Sequence, residues 1–260
     1  MSDPFATLPP WPQVDFAAYG EIEPKKLSRI QKLVGGFLAR NWVTIPHVTH
    51  HDDADITDFE TRRKAHNEAG GTKLTLVPLI VKAMADALAA MPQFNASLDI
   101  ANGVLVMKRY VHVGVAVDTP GGLLVPVIRD CDAKSLDILA IEIAALSDKA
   151  RTKGLSANEM EGGCITLTSL GHIGGTAFTP IVNAPEVAIL GVARARPVAV
   201  PGPDDAVLWR QMLPLSLSYD HRVINGADAA RFVRFVADRL ADPALFDQLS
   251  SDRRAAETKG

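Results

Sequence analysis

Cysteine is scarce. Only Cys131 and Cys164 occur in 260 residues, with no CxxC spacing, which excludes a disulfide framework and a thiolate metal site. Both read as reduced thiols, so the expected compartment is the cytoplasm. The opening stretch "MSDPFATLPPWPQVDF" has neither a basic n-region nor an apolar h-region, so it is not a signal peptide. No apolar run is long enough to span a membrane. An excess of one charge is missing too. The formal net charge is −3, with 27 basic and 30 acidic residues interspersed. Without a basic stripe there is no nucleic-acid face. Internal repeats and low-complexity linkers are also absent. What remains is a chain with 47% hydrophobic and 22% charged residues, able to bury a sizeable core as one domain.

Residues 1–20 are dotted with proline and aromatics, and read as an extended arm lying across a surface. From about residue 21 to 242 the periodicity is that of a packed domain. Ser28 and Gln31 have capping-box spacing, and Ile30, Leu33, Val34, Phe37 and Leu38 recur at helical spacing after them. "IPHVTHHDDADIT" reads as a strand, "TDFETRRKAHNEAGG" as a polar helix ended by glycines. "VPLIVKAMADALAAMP" reads as a buried helix, with Pro78 in its first turn and Pro92 past its end. In "VHVGVAVDTPGGLLVPVIRD" the period changes to two. Thr119-Pro120-Gly121-Gly122 has the chemistry of a tight turn between strands. "SLDILAIEIAALSDKARTKG" is a helix capped by Ser135 and stopped at Gly154. "GCITLTSLGHIGG", "EVAILGVARARPVAV" and "MLPLSLSYD" are further strands, and a last helix covers about 227 to 240. The expectation is an α+β domain, a mixed sheet with helices packed on one side, followed by a polar tail over 243–260.

Several motifs invite chemistry and do not carry it. "HVTHHDDAD" holds His47, His50, His51, Asp52, Asp53 and Asp55, but strand alternation divides them between two faces, so no metal is expected. "SLGHIGG" is neither a phosphate-binding loop nor a nucleophile elbow; it reads as a turned loop beside a site. His66, His112 and His172 lack an evident reacting partner. His221 is different. It lies in "SLSYDHRVINGADAARF", where a strand gives way to a helix, between Asp220 and Arg222 and four residues before Asn225.

That stretch closely resembles the signature Asp-His-Arg-x-x-Asp/Asn-Gly of dihydrolipoamide acyltransferases, the catalytic cores of 2-oxo acid dehydrogenase complexes. "VDFAAYGEIE", "RNWVTIPHVTH", "VGVAVDTPGGLLVPV", "ITLTSLGHIGGTAFTPIVNAPEVAILGV" and "MLPLSLSYD" look like further family segments in family order, from about residue 13 to about 240. "NAPEVAILGV" looks most like the acetyl-transferring members of pyruvate dehydrogenase complexes. The resemblance implies a chloramphenicol acetyltransferase-like fold and a homotrimer, with an active site at each subunit interface. Coenzyme A and dihydrolipoamide would enter that site from opposite ends. It implies that the lipoyl group is supplied by another domain or chain, since no lipoyl or subunit-binding domain is expected here. Asp148-Lys149-Ala150 matches the tripeptide around a lipoylated lysine, but it sits at a helix end, where Lys149 reads as an ordinary cation. The implied partners are lipoyl-domain proteins and the other complex subunits.

The residue chemistry supports the same reading. Acyl transfer between thiols needs a thiolate, a base to generate it and a donor for the oxyanion. A thiol with pKa about 8.5 is only a few per cent ionised at neutral pH, and an imidazole is well matched to take its proton. His221 stands where the family has its catalytic histidine. The family's oxyanion donor is a hydroxyl in a segment like "T-I-S-N-L-G"; laid onto "TLTSLG" that position is Thr168, a departure from the usual serine. A threonine keeps the hydroxyl but is stiffer at χ1. Ser169, its neighbour, points to the opposite face of a regular strand. Asn225 takes the Asp/Asn position. Asp220 and Arg222 are expected to hold the turn in shape. Two other functions stay open: a coenzyme A-dependent acyltransferase with a different acceptor, and a catalytically idle trimeric scaffold. The charged ending "DRRAAETKG" leads to the expectation that assembly stops at the trimer, with Leu245, Phe246 and Leu249 as the remaining apolar candidates for docking trimers together.

Overall fold

The computed structural model describes residues 11–246. The first helix, α1 (Arg29–Thr44), starts at the expected capping box: the Ser28 hydroxyl accepts the Gln31 N–H at 3.1 Å and the Gln31 side chain accepts the Ser28 N–H at 2.8 Å. It leads into β1 (His47–Asp55), α2 (Thr57–Glu68) and α3 (Leu76–Ala90). A hairpin of β2 (Ala96–Asp99) and β3 (Val104–Met107) follows. Then come β4 (Val113–Val115), β5 (Val117–Thr119), β6 (Gly122–Leu124), β7 (Val127–Ile128) and α4 (Leu136–Thr152). The chain closes with β8 (Ile165–Ser169), β9 (Ala188–Val192), β10 (Arg196–Pro201), β11 (Val207–Asp220) and α5 (Gly226–Ala241).

Seven strands form one mixed sheet in the order β1-β11-β9-β8-β4-β7, with β10 paired to the first half of β11. The β4–β8 and β8–β9 pairs are parallel and the rest antiparallel. The predicted mixed sheet is therefore present, and its two faces differ. Val113, Val115, Ile165, Leu167, Leu190, Leu215, Leu217 and Tyr219 point into one core with buried residues of α3, α4 and α5. Phe94 and Phe232 stack there at 4.2 Å. Alternation puts Gly114, Thr166, Thr168, Gly191, Ser216 and Ser218 on the other face. That face carries small and polar residues and is packed by other parts of the chain than the helical layer: Thr166, Ser216 and Ser218 are buried, with Glu186 against Thr166 and Phe178 over Gly191.

Four expectations need correction. α1 does not join the helical layer: among its residues only Asn41 is buried, while Ile30, Leu33, Phe37 and Trp42 are exposed. Its apolar spacing marks a face that this chain leaves bare. The arm is not simply extended, since Phe16–Tyr19 forms a 3-10 turn, and its described residues, 11–20, are exposed throughout, so among the described residues the arm is not packed against a surface of this chain. The tight turn at Pro120-Gly121 joins β5 to β6 as predicted, but that hairpin stands apart from the main sheet. The packed domain also runs past 242. Leu245 is fully buried and Phe246 meets the rings of Phe59 and His66 edge-on. Leu245 belongs to this chain's own core and the partly buried Phe246 packs against it, so both are engaged within the chain rather than free to dock trimers; Leu249 and "DRRAAETKG" lie outside the described residues.

Candidate active site

β11 is long because its second half is buried between two neighbours, β1 and β9. It ends at Asp220, whose N–H donates to the Val187 carbonyl at 2.9 Å. The Asp220 carbonyl then accepts the N–H groups of Val223 and Ile224, both at 3.0 Å, and turns the chain back toward α5. His221 occupies the tip of that turn. Its N–H donates to the Pro46 carbonyl at 3.1 Å, its ring lies 5.8 Å from that of Tyr219, and it is exposed.

The side chains on either side of His221 fix the turn. The buried Asp220 carboxylate accepts from the Arg222 N–H at 3.0 Å, Nε at 2.9 Å and the terminal nitrogen at 2.6 Å. The same contact holds the Arg222 guanidinium pKa above its ordinary value. The structural role expected for this pair is thus visible in its geometry. Asp220→Ala leaves Arg222 without its counter-charge. The expected loss is about 2 kcal/mol, below the roughly 3–5 kcal/mol of a fully buried pair because Arg222 is partly in water. Chemical denaturation measures it, and an unchanged midpoint would refute the role.

Asn225 caps α5. Its side-chain oxygen accepts the Asp228 N–H at 2.9 Å and its amide donates to the Asp228 carboxylate at 2.7 Å. It therefore sits one turn from His221 with a structural job of its own. Thr168 is half-buried near the end of β8, on the face turned away from the helices. Ser169, as expected, takes the opposite side, where its hydroxyl accepts the Gly171 N–H at 3.4 Å.

The structure does not bring Thr168 and His221 together. Thr168 pairs with Gly191 and Gly191 with Ser216, five residues before His221. At about 3.3 Å per residue and 4.8 Å per strand, they are separated by roughly 16 Å along the sheet and about 10 Å across it. Over Gly191, beside Thr168, lies Phe178, whose ring a Cβ on that glycine would meet at 2.7 Å.

A cavity of about 360 Å³ adjoins the His221 turn, lined among others by Arg40, Ile45, Leu98, Glu186, Asp220 and Arg222. Glu186 was not singled out in the sequence. It is buried, and both its carboxylate oxygens are within reach of the Thr166 hydroxyl, at 2.9 and 2.7 Å. Burial raises its pKa from 4.5 to about 7. Its only signal in the sequence is an acid placed directly before the apolar run "VAILGV", too common a pattern to stand out.

The other candidates resolve as structural. His47 donates through Nδ1 to the Ile45 carbonyl and accepts the Val182 N–H through Nε2. His51 bonds the Ser216 hydroxyl at 2.9 Å, whereas Asp52 reaches Arg234 at 3.1 Å, so β1 does split its polar residues. His112 accepts the Asp130 N–H at 3.0 Å, and His66 contacts the Thr72 carbonyl at 3.1 Å. Lys149 lies in the last turn of α4 and pairs with Glu159 at 2.6 Å.

A chloramphenicol acetyltransferase superposes with a TM-score of 0.53 at 16% identity, covering 79% of this chain and 94% of that one. The architecture is therefore that of the chloramphenicol acetyltransferase fold. Within it, residues 19–246 match the family model of 2-oxoacid dehydrogenases acyltransferase (catalytic domain), and the chain belongs to that family. It is 55% identical over 240 residues to the dihydrolipoyllysine-residue acetyltransferase component of the pyruvate dehydrogenase complex of Pseudomonas aeruginosa, covering 91% of this chain and 44% of the relative. The corresponding component of Azotobacter vinelandii is 56% identical over 232 residues, 88% of this chain and 36% of that one. The chain thus spans less than half the length of these curated relatives. Two solved structures superpose with a TM-score of 0.88 at 55% identity, each covering 92% of this chain and all of the other. One is of an Azotobacter vinelandii dihydrolipoamide acetyltransferase, studied for the role of a serine, a histidine and an asparagine in catalysis. The other is the cubic core of a pyruvate dehydrogenase multienzyme complex. Among the described residues no helix is long and apolar enough to cross a membrane.

Proposed function

We propose that this chain transfers a short acyl group, acetyl, between the thiols of dihydrolipoamide and coenzyme A. The dihydrolipoamide is carried by a lipoyl domain of a pyruvate dehydrogenase-type complex. One observation carries the reading: His221 stands exposed on a well-braced turn, in a stretch matching the family signature, while the hydroxyl that would complete its site lies half-buried on a remote part of the sheet. In the Azotobacter relative the named histidine and asparagine are four residues apart, as His221 and Asn225 are.

The site is then made by two subunits of a homotrimer, His221 from one and Thr168 from its neighbour. The half-buried end of β8 at Thr168, the bare side of α1 and the exposed arm are the surfaces such a trimer would bury. His221 takes the proton of the attacking thiol, and the sulfur bonds to the thioester carbonyl carbon. The carbonyl oxygen becomes an oxyanion that accepts a hydrogen bond from Thr168. The tetrahedral centre collapses, the C–S bond to the other thiol breaks, and the imidazolium returns the proton to the departing sulfur. A positioned base is typically worth about 10²–10⁴ in rate. Asn225 keeps the turn and α5 in register, so its contribution is orientation. The relative's cubic core makes a larger shell an outcome to weigh against the expected free trimer.

The test is thioester formation from acyl-CoAs of increasing length with free dihydrolipoamide. Acetyl is expected to react fastest, since each added methylene changes binding by about 1–3 kcal/mol and Phe178 narrows the space beside Thr168. Turnover with another acceptor but not with dihydrolipoamide would establish the different-acceptor reading, and none at all the scaffold.

A further inference from the structure

We propose that the Glu186 carboxyl is a positioning residue for the transfer step, ordering the Thr168 face of β8 through Thr166 and the His221 turn through the adjoining backbone. The inference rests on the acyl-transfer reading above and adds a residue to it.

The geometry is specific. Thr166 lies two residues before Thr168 and so on the same face of the strand. Its hydroxyl is bound by both oxygens of Glu186, and the Asn183 amide donates to the same carboxyl at 3.4 Å. Two glycines make the room. A Cβ at Gly163 would stand 2.6 Å from a Glu186 oxygen, and one at Gly114 would stand 2.9 Å from the Thr166 hydroxyl. On the other side, Val187 receives the Asp220 N–H, one residue from His221. Glu186 is therefore bonded toward the oxyanion strand and joined through the chain to the base's turn. In a trimer built as proposed, one Glu186 serves two active sites.

Stability does not explain the choice of residue. A buried carboxyl is costly unless paired, and replacing a buried ionisable group by a neutral one is often harmless or stabilising. The Lys108 ammonium, whose charge acts on the carboxyl, donates to the Gly163 carbonyl at 3.0 Å instead. The other ionisable groups around it are Cys164 and, at the cavity, Arg40, Asp220 and Arg222. A buried carboxyl held only by a hydroxyl and an amide, with no ion-pair partner in hydrogen-bond contact among the described residues, is a costly group of the kind that function sets against stability. With its pKa raised to about 7, Glu186 gains a negative charge just above neutrality, on the side of the sheet where the oxyanion develops. Turnover should then fall as pH rises through about 7. A base that must be unprotonated gives a limb of opposite slope, so the two separate.

Two isosteric variants test this. Glu186→Gln keeps the shape and fixes the group neutral; its kcat profile is expected to lose the falling limb near pH 7. Thr166→Val removes the hydroxyl; kcat is expected to drop about tenfold, with KM for both thiols within about twofold. A Glu186→Gln profile superimposable on the wild type, or an unchanged kcat in Thr166→Val, overturns the proposal. Melting, read on the same samples, needs no turnover. The folded chain holds the Glu186 proton at pH values where the unfolded chain has lost it. That stability is complete below about 4.5 and lost as pH rises to about 7. Glu186→Gln is therefore expected to gain on the wild type as pH rises from about 4.5 to about 7 and to run parallel to it above that, and a melting curve that is parallel or falls relative to the wild type within that window overturns the proposal. A wild type with no transfer activity defeats the acyl-transfer reading itself. A wild type that turns over beside an unaltered Glu186→Gln defeats this inference alone.

Discussion

His221→Ala is expected to lower kcat by two to four orders of magnitude, with the fold intact. The magnitude is that of losing a positioned general base, about 10²–10⁴. The fold should survive because the His221 side chain is exposed and its turn is held by other groups: the Asp220–Arg222 pair, the Asp220 carbonyl and the Asn225 cap. Circular dichroism and melting on the same sample establish folding. Near-normal turnover in a folded His221→Ala protein would remove the residue as the base. The remaining activity should rise with pH more steeply than the wild type's, because thiolate must then come from the solvent.

Thr168→Val is expected to cost about 10²–10³ in kcat, the effect of deleting one oxyanion donor. Thr168→Ser, which restores the hydroxyl on a freer χ1, should retain most of the rate. The more telling experiment mixes chains. His221→Ala and Thr168→Val proteins are each nearly inactive, but in mixed trimers some interfaces combine the intact His221 of one chain with the intact Thr168 of the other. Random association of equal amounts regenerates about a quarter of the interfaces, so activity should return to about that fraction. If both groups served a site within one chain, no mixture would recover activity. The register already argues against that, since five residues of β11 and two strand spacings separate them.

The local features of this chain follow from local chemistry, which is why they were legible in sequence. The Ser28–Gln31 capping box, the Ser135 and Asn225 caps and the two-residue turn at Pro120-Gly121 depend on side chains within a few positions of each other. The alternation at Val113 and Val115, and the helical spacing at Phe232, Val233, Val236 and Leu240, each report a buried face without knowledge of its partner. His221 was legible because its whole immediate setting, from Asp220 to Asn225, is contiguous.

What escaped the sequence depends on residues far apart in the chain. The Glu186–Thr166 bond joins positions twenty apart, and a single acid ahead of an apolar strand carries no mark of the hydroxyl it will meet. Helical spacing in α1 showed an apolar face but not that this chain would leave it bare, because periodicity records amphipathicity and not what covers it. Likewise Leu245 and Phe246 resembled anchors for another trimer. Only packing against Phe59 and His66 assigned Phe246 to this domain. By itself the sequence determined the mixed α+β class, most of the elements, the family and the setting of His221. The tertiary structure alone decided that Thr168 and His221 stand far apart in one chain, because strand register is set by pairing across the sheet and distance by how many strands lie between.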